Sequence, residues 1–460
     1  MASNGTVQVK TWSPNGLAAV ANLPCNPLEA VNSGFRPSPR PLISRAMVDH
    51  SRTAITYRYE CWRALSAGVI EAAGTIFLLL IAVRWFKAGP LAKAMIAGGG
   101  SVGLILAPWV VSRVEASGWP VAKAAARLAA LGAGSFLVMA LVPVLPVFVA
   151  GCVLAMATSS AAIPLLTQIY QENYAEGERG RRFARTMMIR IATAALFSQL
   201  AGRALSGHLD QFRWLLVLFA GAFAFASFCL GRCPSRALTA SGGTHPFHAL
   251  RYARDDRLFR QTLIAWMFLG FALLMMAPLR VEYLANAKYG VHWHGQLLTA
   301  GTIALLTGVI PNIARLILNP VWGWLFDRMN FFVLRLTLNA GFALGILSFF
   351  VNGSVAGLVA GAVFFGISNA GADVAWGLWV TKFAPPERVA DYMSVHTCFT
   401  GLRGVVAPVV AFYLVSDLPL NVLGWVSVGL IVIGSAFLVP EIRFGRAARP
   451  GPTLVEEISD

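Results

Sequence analysis

Charge is scarce in this sequence. Of 460 residues, 13% are Asp, Glu, Lys or Arg, against about 25% in a soluble domain. That deficit argues against an ordinary water-soluble globular chain. Cysteine is also sparse, and its six residues (Cys25, Cys61, Cys152, Cys229, Cys233, Cys398) are scattered through or beside apolar runs. They give no disulfide framework, and Cys229 and Cys233 have no second ligand pair to hold zinc. No Walker sequence is present: "GGGSVG" (98–103) runs into an apolar stretch without the Lys-Ser/Thr of a phosphate loop, so close helix packing is its expected use. No Ser-His-Asp order appears, and "HWH" (292–294) lacks a carboxylate companion for a metal. An enzyme, an ATP-driven motor, a cofactor and a metal site are therefore not expected. The opening "MASNGTVQVK" lacks the charged-then-apolar layout of a signal peptide.

What the sequence has in abundance is apolar surface, 57% of its residues, gathered in runs of membrane-crossing length. Twelve spans are expected, near 62–84, 94–114, 122–143, 146–168, 186–208, 212–231, 261–284, 298–324, 331–351, 354–380, 391–415 and 420–440. Residues 1–60 read as a disordered lead, 61–231 as a first six-helix bundle, 232–260 as a basic linker, 261–440 as a second six-helix bundle and 441–460 as a tail. The expected fold is all-α and integral to the membrane, with the bilayer as its main partner. "VPVLP" (142–146) and "VNGS" (351–354) are so short that the helices flanking each must form antiparallel hairpins.

The net charge of +16 need not mean nucleic acid, because its distribution follows topology. With basic residues at span ends counted together with the adjoining loop, 27 of the 37 Lys and Arg lie on the face holding both termini. Only Arg84, Lys87, Lys93, Arg213, Arg280 and Lys288 lie on the other, and four more sit inside spans. Both termini and the linker are thus expected in the cytoplasm, with the plasma (inner) membrane as the expected location. No nucleic-acid partner is expected, and the chain is read as a monomer.

Two segments suggest that the chain is built twice. "YAEGER" (174–179) and "FAPPER" (383–388) share Ala, Glu and Arg at equivalent places and align Tyr174 with Phe383. At the same offset Phe183 aligns with Tyr392. One segment follows span four and the other span ten, which are equivalent positions in two parallel repeats of six spans.

That layout resembles the major facilitator superfamily, and "NPVWGWLFDRMNFFVLRL" (319–336) adds to the resemblance. Gly323, Asp327 and Arg328 match the family's signature loop, while Asn330 and Phe331 replace its second glycine and next basic residue. The corresponding loop after span two, "APWVVSRVEASGWPVAKAAAR", keeps Arg113, Lys123 and Arg127 but lacks the aspartate. The likeness covers about residues 60–440 and names no subfamily. Neither the Gly-Pro pair of drug antiporters nor the sugar-porter motif is recognisable. The resemblance implies two pseudo-symmetric six-helix bundles and a gating role for Gly323, Asp327 and Arg328. Physically, a carboxylate at Asp327 can face a neighbouring helix N-terminus, worth about 0.3–1 kcal/mol when exposed.

Charges within spans cost about 2.5–3.5 kcal/mol each on insertion scales and so ask for a reason. Glu71 lies well inside span one, on a face with Ala67, Gly74 and Thr75. Asp373 in span ten shares a face with Asn369, Trp376 and Gly377. The resemblance implies that spans one, four, seven and ten line the central cavity, which makes Glu71 and Asp373 candidates for proton coupling or cation binding. The alternative is a structural ion pair with Arg190, Arg315 or Arg403. Arg403, with His396 and Thr400 on its face, and Arg315, with Asn312 and Asn319, are also candidates for holding an anion, since guanidinium stays charged. Arg190 is close enough to a span end to snorkel out. Trp376 is a candidate stacking platform, and Trp266 and Trp379 are weaker ones.

These features together lead us to expect a secondary-active transporter moving a small solute by alternating access, with protons as candidate coupling ion. The alternatives are an uncoupled facilitator, or a receptor or interaction protein on a transporter scaffold. The topology is directly testable. With other reactive cysteines removed, a Ser241→Cys protein should resist impermeant thiol reagents in intact cells and label only after permeabilisation. Labelling of sealed cells would place the linker outside.

Overall fold

A backbone crossing hydrocarbon has no water to bond and must satisfy its N–H and C=O groups internally, so long apolar runs become helices. The computed structural model describes residues 42–238, 251–293, 296–382 and 389–444. The chain divides into two units, Met1–Val48 and Asp49–Asp460. Its first helix, α1, runs Leu42–Ala72, passes through a π-helical turn Ala73–Phe77, and continues as Leu78–Arg84. There follow α2 (Pro90–Ser117), α3 (Val121–Leu141), α4 (Leu145–Ala161, extended by Ile163–Asn173), α5 (Glu176–Leu205) and α6 (Phe212–Gly231). The second set comprises α7 (Arg257–Ala285), α8 (Ala300–Ala304, a π-helical turn Leu305–Val309, then Ile310–Arg328), α9 (Phe331–Phe350), α10 (Val355–Leu378), α11 (Val389–Asp417) and α12 (Leu420–Ala436). One two-stranded hairpin, His292–Trp293 with Gln296–Leu297, pairs antiparallel between α7 and α8.

Helix ends are set by local chemistry. Asp256, Thr299, Asn330 and Ser354 cap α7, α8, α9 and α10 by accepting from backbone N–H groups of the first turn. Pro90 opens α2, and Gly118, at φ 64°, ends it in the left-handed region. The connections from α3 to α4 and from α9 to α10 are as short as expected.

Of the described helices, eleven are long and apolar enough to cross a membrane. Of the twelve expected spans, the fifth falls short of that apolar standard. Its helix α5 has 30 residues but carries arginines along its length, including Arg190 and Arg203. The expected lead also ends too late. Residues 42–60 are helical, Thr56 and Glu60 are buried, and Thr53 Oγ1 donates to the Asn173 carbonyl at 2.6 Å. The reason is pairing: Glu60 accepts two bonds from Arg63 at 2.8 Å and one from Tyr170 at 2.6 Å, so a polar turn packs without loss. The expected linker likewise gives way to helix at both Arg251–Asp255 and Arg257. Residues 1–41, 239–250 and 445–460 lie outside the described residues, as does "FAPPER".

Glycine permits several close helix crossings. Gly98 of α2 lies against the Gly404 carbonyl of α11, and Gly103 against the Ala157 backbone of α4. Gly202 of α5 faces Gly301 and Ala304 of α8, where the Gly301 N–H also donates to Ser206 Oγ at 2.9 Å. The "GGGSVG" run therefore does serve packing. A Cβ at Gly103 would overlap backbone that cannot move aside, whereas Gly221 in α6 faces open space. Gly103→Ala should cost about 1–3 kcal/mol of stability, while Gly221→Ala should be neutral or gain up to about 1 kcal/mol. Thermal unfolding of both variants in one detergent checks this, and equal losses would contradict the crossing.

Candidate functional site

The charged candidates gather into one network. Glu71 leaves α1 immediately before its π-helical turn. One carboxylate oxygen, Oε2, accepts from Arg190 Nε of α5 at 2.5 Å, and the other, Oε1, from Arg315 Nη1 of α8 at 2.5 Å. Arg315 then turns its Nε and Nη2 to Asp373 of α10, at 2.5 and 3.0 Å, a bidentate fork. Asn312, one turn before Arg315, accepts from Arg315 Nη1 at 3.4 Å. Two acids and two bases thus balance in charge, and the Arg315–Glu71 bond joins the first six helices to the last six.

Burial makes that balance matter. The side chains of Glu71 and Arg315 are 13% and 11% exposed, Asp373 27% and Arg190 38%. Removing one partner of a buried pair costs about 3–5 kcal/mol because it strands the other charge. Local sequence explains the approach. Gly68, one turn before Glu71, has no side chain and lets α1 lie against the backbone of Arg190 and Ala194. Thr75 turns its hydroxyl back to the Glu71 carbonyl at 2.7 Å, satisfying an acceptor where the π-helical turn loosens the ladder. Gly308, within the π-helical turn of α8, packs against Ile76 in that of α1 and Ser198 of α5. The two irregular turns therefore meet beside the network.

Not every candidate joins it. Arg190, close enough to a span end to snorkel and also offered as a partner for Glu71, is a member through its bond to Glu71 of the neighbouring α1. Arg403 is not a member: its guanidinium bonds the Trp266 carbonyl and Thr400 Oγ1, the latter at 3.3 Å. His396 is fully buried among aromatic rings, 5.2 Å from Trp266, 5.8 Å from Trp376 and 5.0 Å from Trp379 between centroids. Trp376 is half-buried, whereas Trp266 and Trp379 are buried in the core and have no free face for a solute. Asn369 is half-buried one turn from Asp373. In the signature loop, Arg328 lies over the Trp324 ring at 4.5 Å and Gly323 faces open space, while the Asp327 side chain lies outside the described residues.

Sequence reasoning missed a second feature, a closure at one end of the helices. Arg84 at the end of α1 donates to the carbonyls of Ala285 and Leu298, at 3.0 and 2.6 Å. Lys93 of α2 pairs with the buried Glu282 of α7 at 2.7 Å, and Asn286 donates to the same oxygen at 2.7 Å. Lys93 and Glu282 both lie near span ends, where charge is commonplace, so neither stood out in the sequence.

Residues 292–453 match the family model described as Major Facilitator Superfamily. No curated protein matches the chain in sequence. Among solved structures, it is similar to a variant of nucleoside transporter NupG, at TM-score 0.68 and 13% identity, covering 84% of this chain and 99% of that one. It is also similar to a POT family transporter in complex with a thioalcohol-conjugated peptide, at 0.63 and 12%, covering 86% and 96%. A bacterial homolog of the human lysosomal transporter Spinster, inward-facing and unoccupied, matches at 0.58 and 13%, covering 88% and 99%. Such distant likenesses carry the fold alone: over most of its length the chain has the multi-helix membrane fold of these solved transporters, and its part from 292 to 453 matches the Major Facilitator Superfamily model.

Proposed function

We propose that the protein moves a small solute by rocking its two six-helix bundles, 61–231 and 261–440, about a midplane site, with Glu71 as the proton-coupling group. One observation carries this reading: the two oxygens of Glu71 are held by arginines from opposite bundles. A proton on Glu71 removes the negative charge that ties Arg315 to the first bundle. Arg315 keeps Asp373, so the second bundle is not left with an orphan cation. Protonation then leaves the network with one net positive charge, which an anionic group of the solute would offset. The solute class of this protein is open between such groups; the similar structures include a nucleoside transporter and a transporter in complex with a conjugated peptide.

The same reading assigns the ends. With both termini in the cytoplasm, the Arg84 and Lys93–Glu282 bonds form an external gate, and Gly323, Asp327 and Arg328 serve the cytoplasmic one. Alternating access requires the external bonds to break as the cytoplasmic end closes.

Two outcomes follow. Glu71→Gln should abolish accumulation driven by a pH gradient in reconstituted vesicles while retaining part of substrate counterflow, which needs no net proton movement. Normal gradient-driven accumulation by the folded variant would exclude Glu71 as the essential coupling group. Glu282→Gln, by weakening the Lys93 bond, should raise the population open at that end. Distances between spin labels on the ends of α1 and α7 report it, and an unchanged distribution would mean that the pair is not a gate.

A further inference from the structure

A second buried cluster, between α7, α9, α10 and α11, has cations but, among the described residues, no counter-charge. Arg335 lies 3.8 Å above the Trp266 ring centroid, and Arg403 lies 6.0 Å from the same centroid. Their exposures are 2% and 5%, and His396 beside them is at 0%. Guanidinium remains protonated even when buried, so two full charges flank one indole. Among the described residues, neither arginine has a carboxylate within ion-pair distance. Two acids with described partners are committed elsewhere: Asp256 accepts from the Phe259 N–H and the Tyr392 hydroxyl, and Asp373 from Arg315.

The hydrogen-bond inventory is equally one-sided. Arg335 Nη1, Arg403 Nε and Trp266 Nε1 are buried donors with no acceptor, and both nitrogens of His396 lack a partner. Arg403 does bond the Trp266 carbonyl and Thr400, which fixes its plane while leaving Nε unmet. The cation–π contacts hold both guanidiniums in place but neutralise nothing. Buried polar groups are normally paired, and a buried cation without an anion is costly. A negatively charged acceptor could take the free N–H groups of Arg335, Arg403 and Trp266 and the one ring N–H of His396. An oxyanion, planar or tetrahedral, has oxygens enough to take one bond from each guanidinium, at Arg403 Nε and Arg335 Nη1.

We propose that Arg335, Arg403 and His396, arranged around Trp266, form a buried site for an oxyanion, the carboxylate or phosphate group of a freely diffusing ligand. The site is separate from the Glu71 network and its occupancy does not depend on whether Glu71 couples transport.

The test is binding by the purified full chain in neutral detergent, read as the thermal-unfolding midpoint at constant ionic strength. Inorganic phosphate and acetate, titrated against chloride, are the probes. The wild type should show a saturable rise with at least one of them. Arg403→Lys, which keeps charge but loses the Nε donor, should weaken the response about tenfold or more, and Arg335→Gln should abolish it. Arg232→Gln, which removes an exposed arginine stacked on Phe228, should respond as wild type. If Arg335→Gln does not fold, tryptophan fluorescence serves instead: the anion should change wild-type emission, and Trp266→Phe should lose that change. No saturable response in the wild type, or equal responses in wild type and Arg403→Lys, would overturn the site. So would stabilisation by phosphatidylglycerol in lipid discs without any response to free anion, which would assign the charge to lipid headgroups.

Discussion

A carboxylate held by two arginines from opposite sides is the constraint around which the middle of this molecule is arranged. Glu71 can accept from Arg190 and Arg315 only if α1, α5 and α8 come within side-chain reach at one level. Gly68 makes the α1–α5 approach possible, and Gly202 and Gly301 do the same for α5 and α8. Asp373 then supplies the second negative charge that the second arginine requires. Taken singly, each of these charges would be a liability in hydrocarbon. Together they form a neutral unit that presents no unpaired charge to lipid.

The interface between the two sets of helices has a different character on either side of that unit. Toward Arg84, the contacts are charged and directional, with guanidinium on carbonyl and ammonium on carboxylate. Along α2 and α11, Gly98 lies against the Gly404 carbonyl, while Gly401 and Gly404 make room for the Ile105 and Ser101 side chains. These are contacts of shape rather than of charge. The directional bonds can then decide which arrangement is held.

Much of this was legible in the sequence, for identifiable reasons. Apolar runs of hydrocarbon length fix helices, and the penalty for buried charge singled out Glu71, Asp373, Arg315 and Arg403. The recurrence of Ala-Glu-Arg at equivalent loops, with the signature around Gly323 and Asp327, pointed to the family. Pairings were not legible, because partners lie up to 244 positions apart and helix rotation is set by packing. Arg190 was therefore misread from its distance to a span end. Trp266 and Arg335 were similarly obscure: their joint position against His396 and Arg403 depends on how four helices close. α5 was counted as an ordinary span, yet its arginines leave it less apolar than the other eleven.

The π-helical turn of α1 lies between the charge network and the Arg84 closure. A π turn accommodates one residue more than an α turn, and one residue corresponds to about 100° around a helix. It thus sets the phase between Glu71 and Arg84: with an uninterrupted α-helix, Arg84 could not meet the Ala285 carbonyl while Glu71 met Arg315. By the same arithmetic, deleting one residue within the turn would restore an α turn and keep the two ends in phase, whereas deleting one elsewhere between Glu71 and Arg84 would turn them about 100° apart.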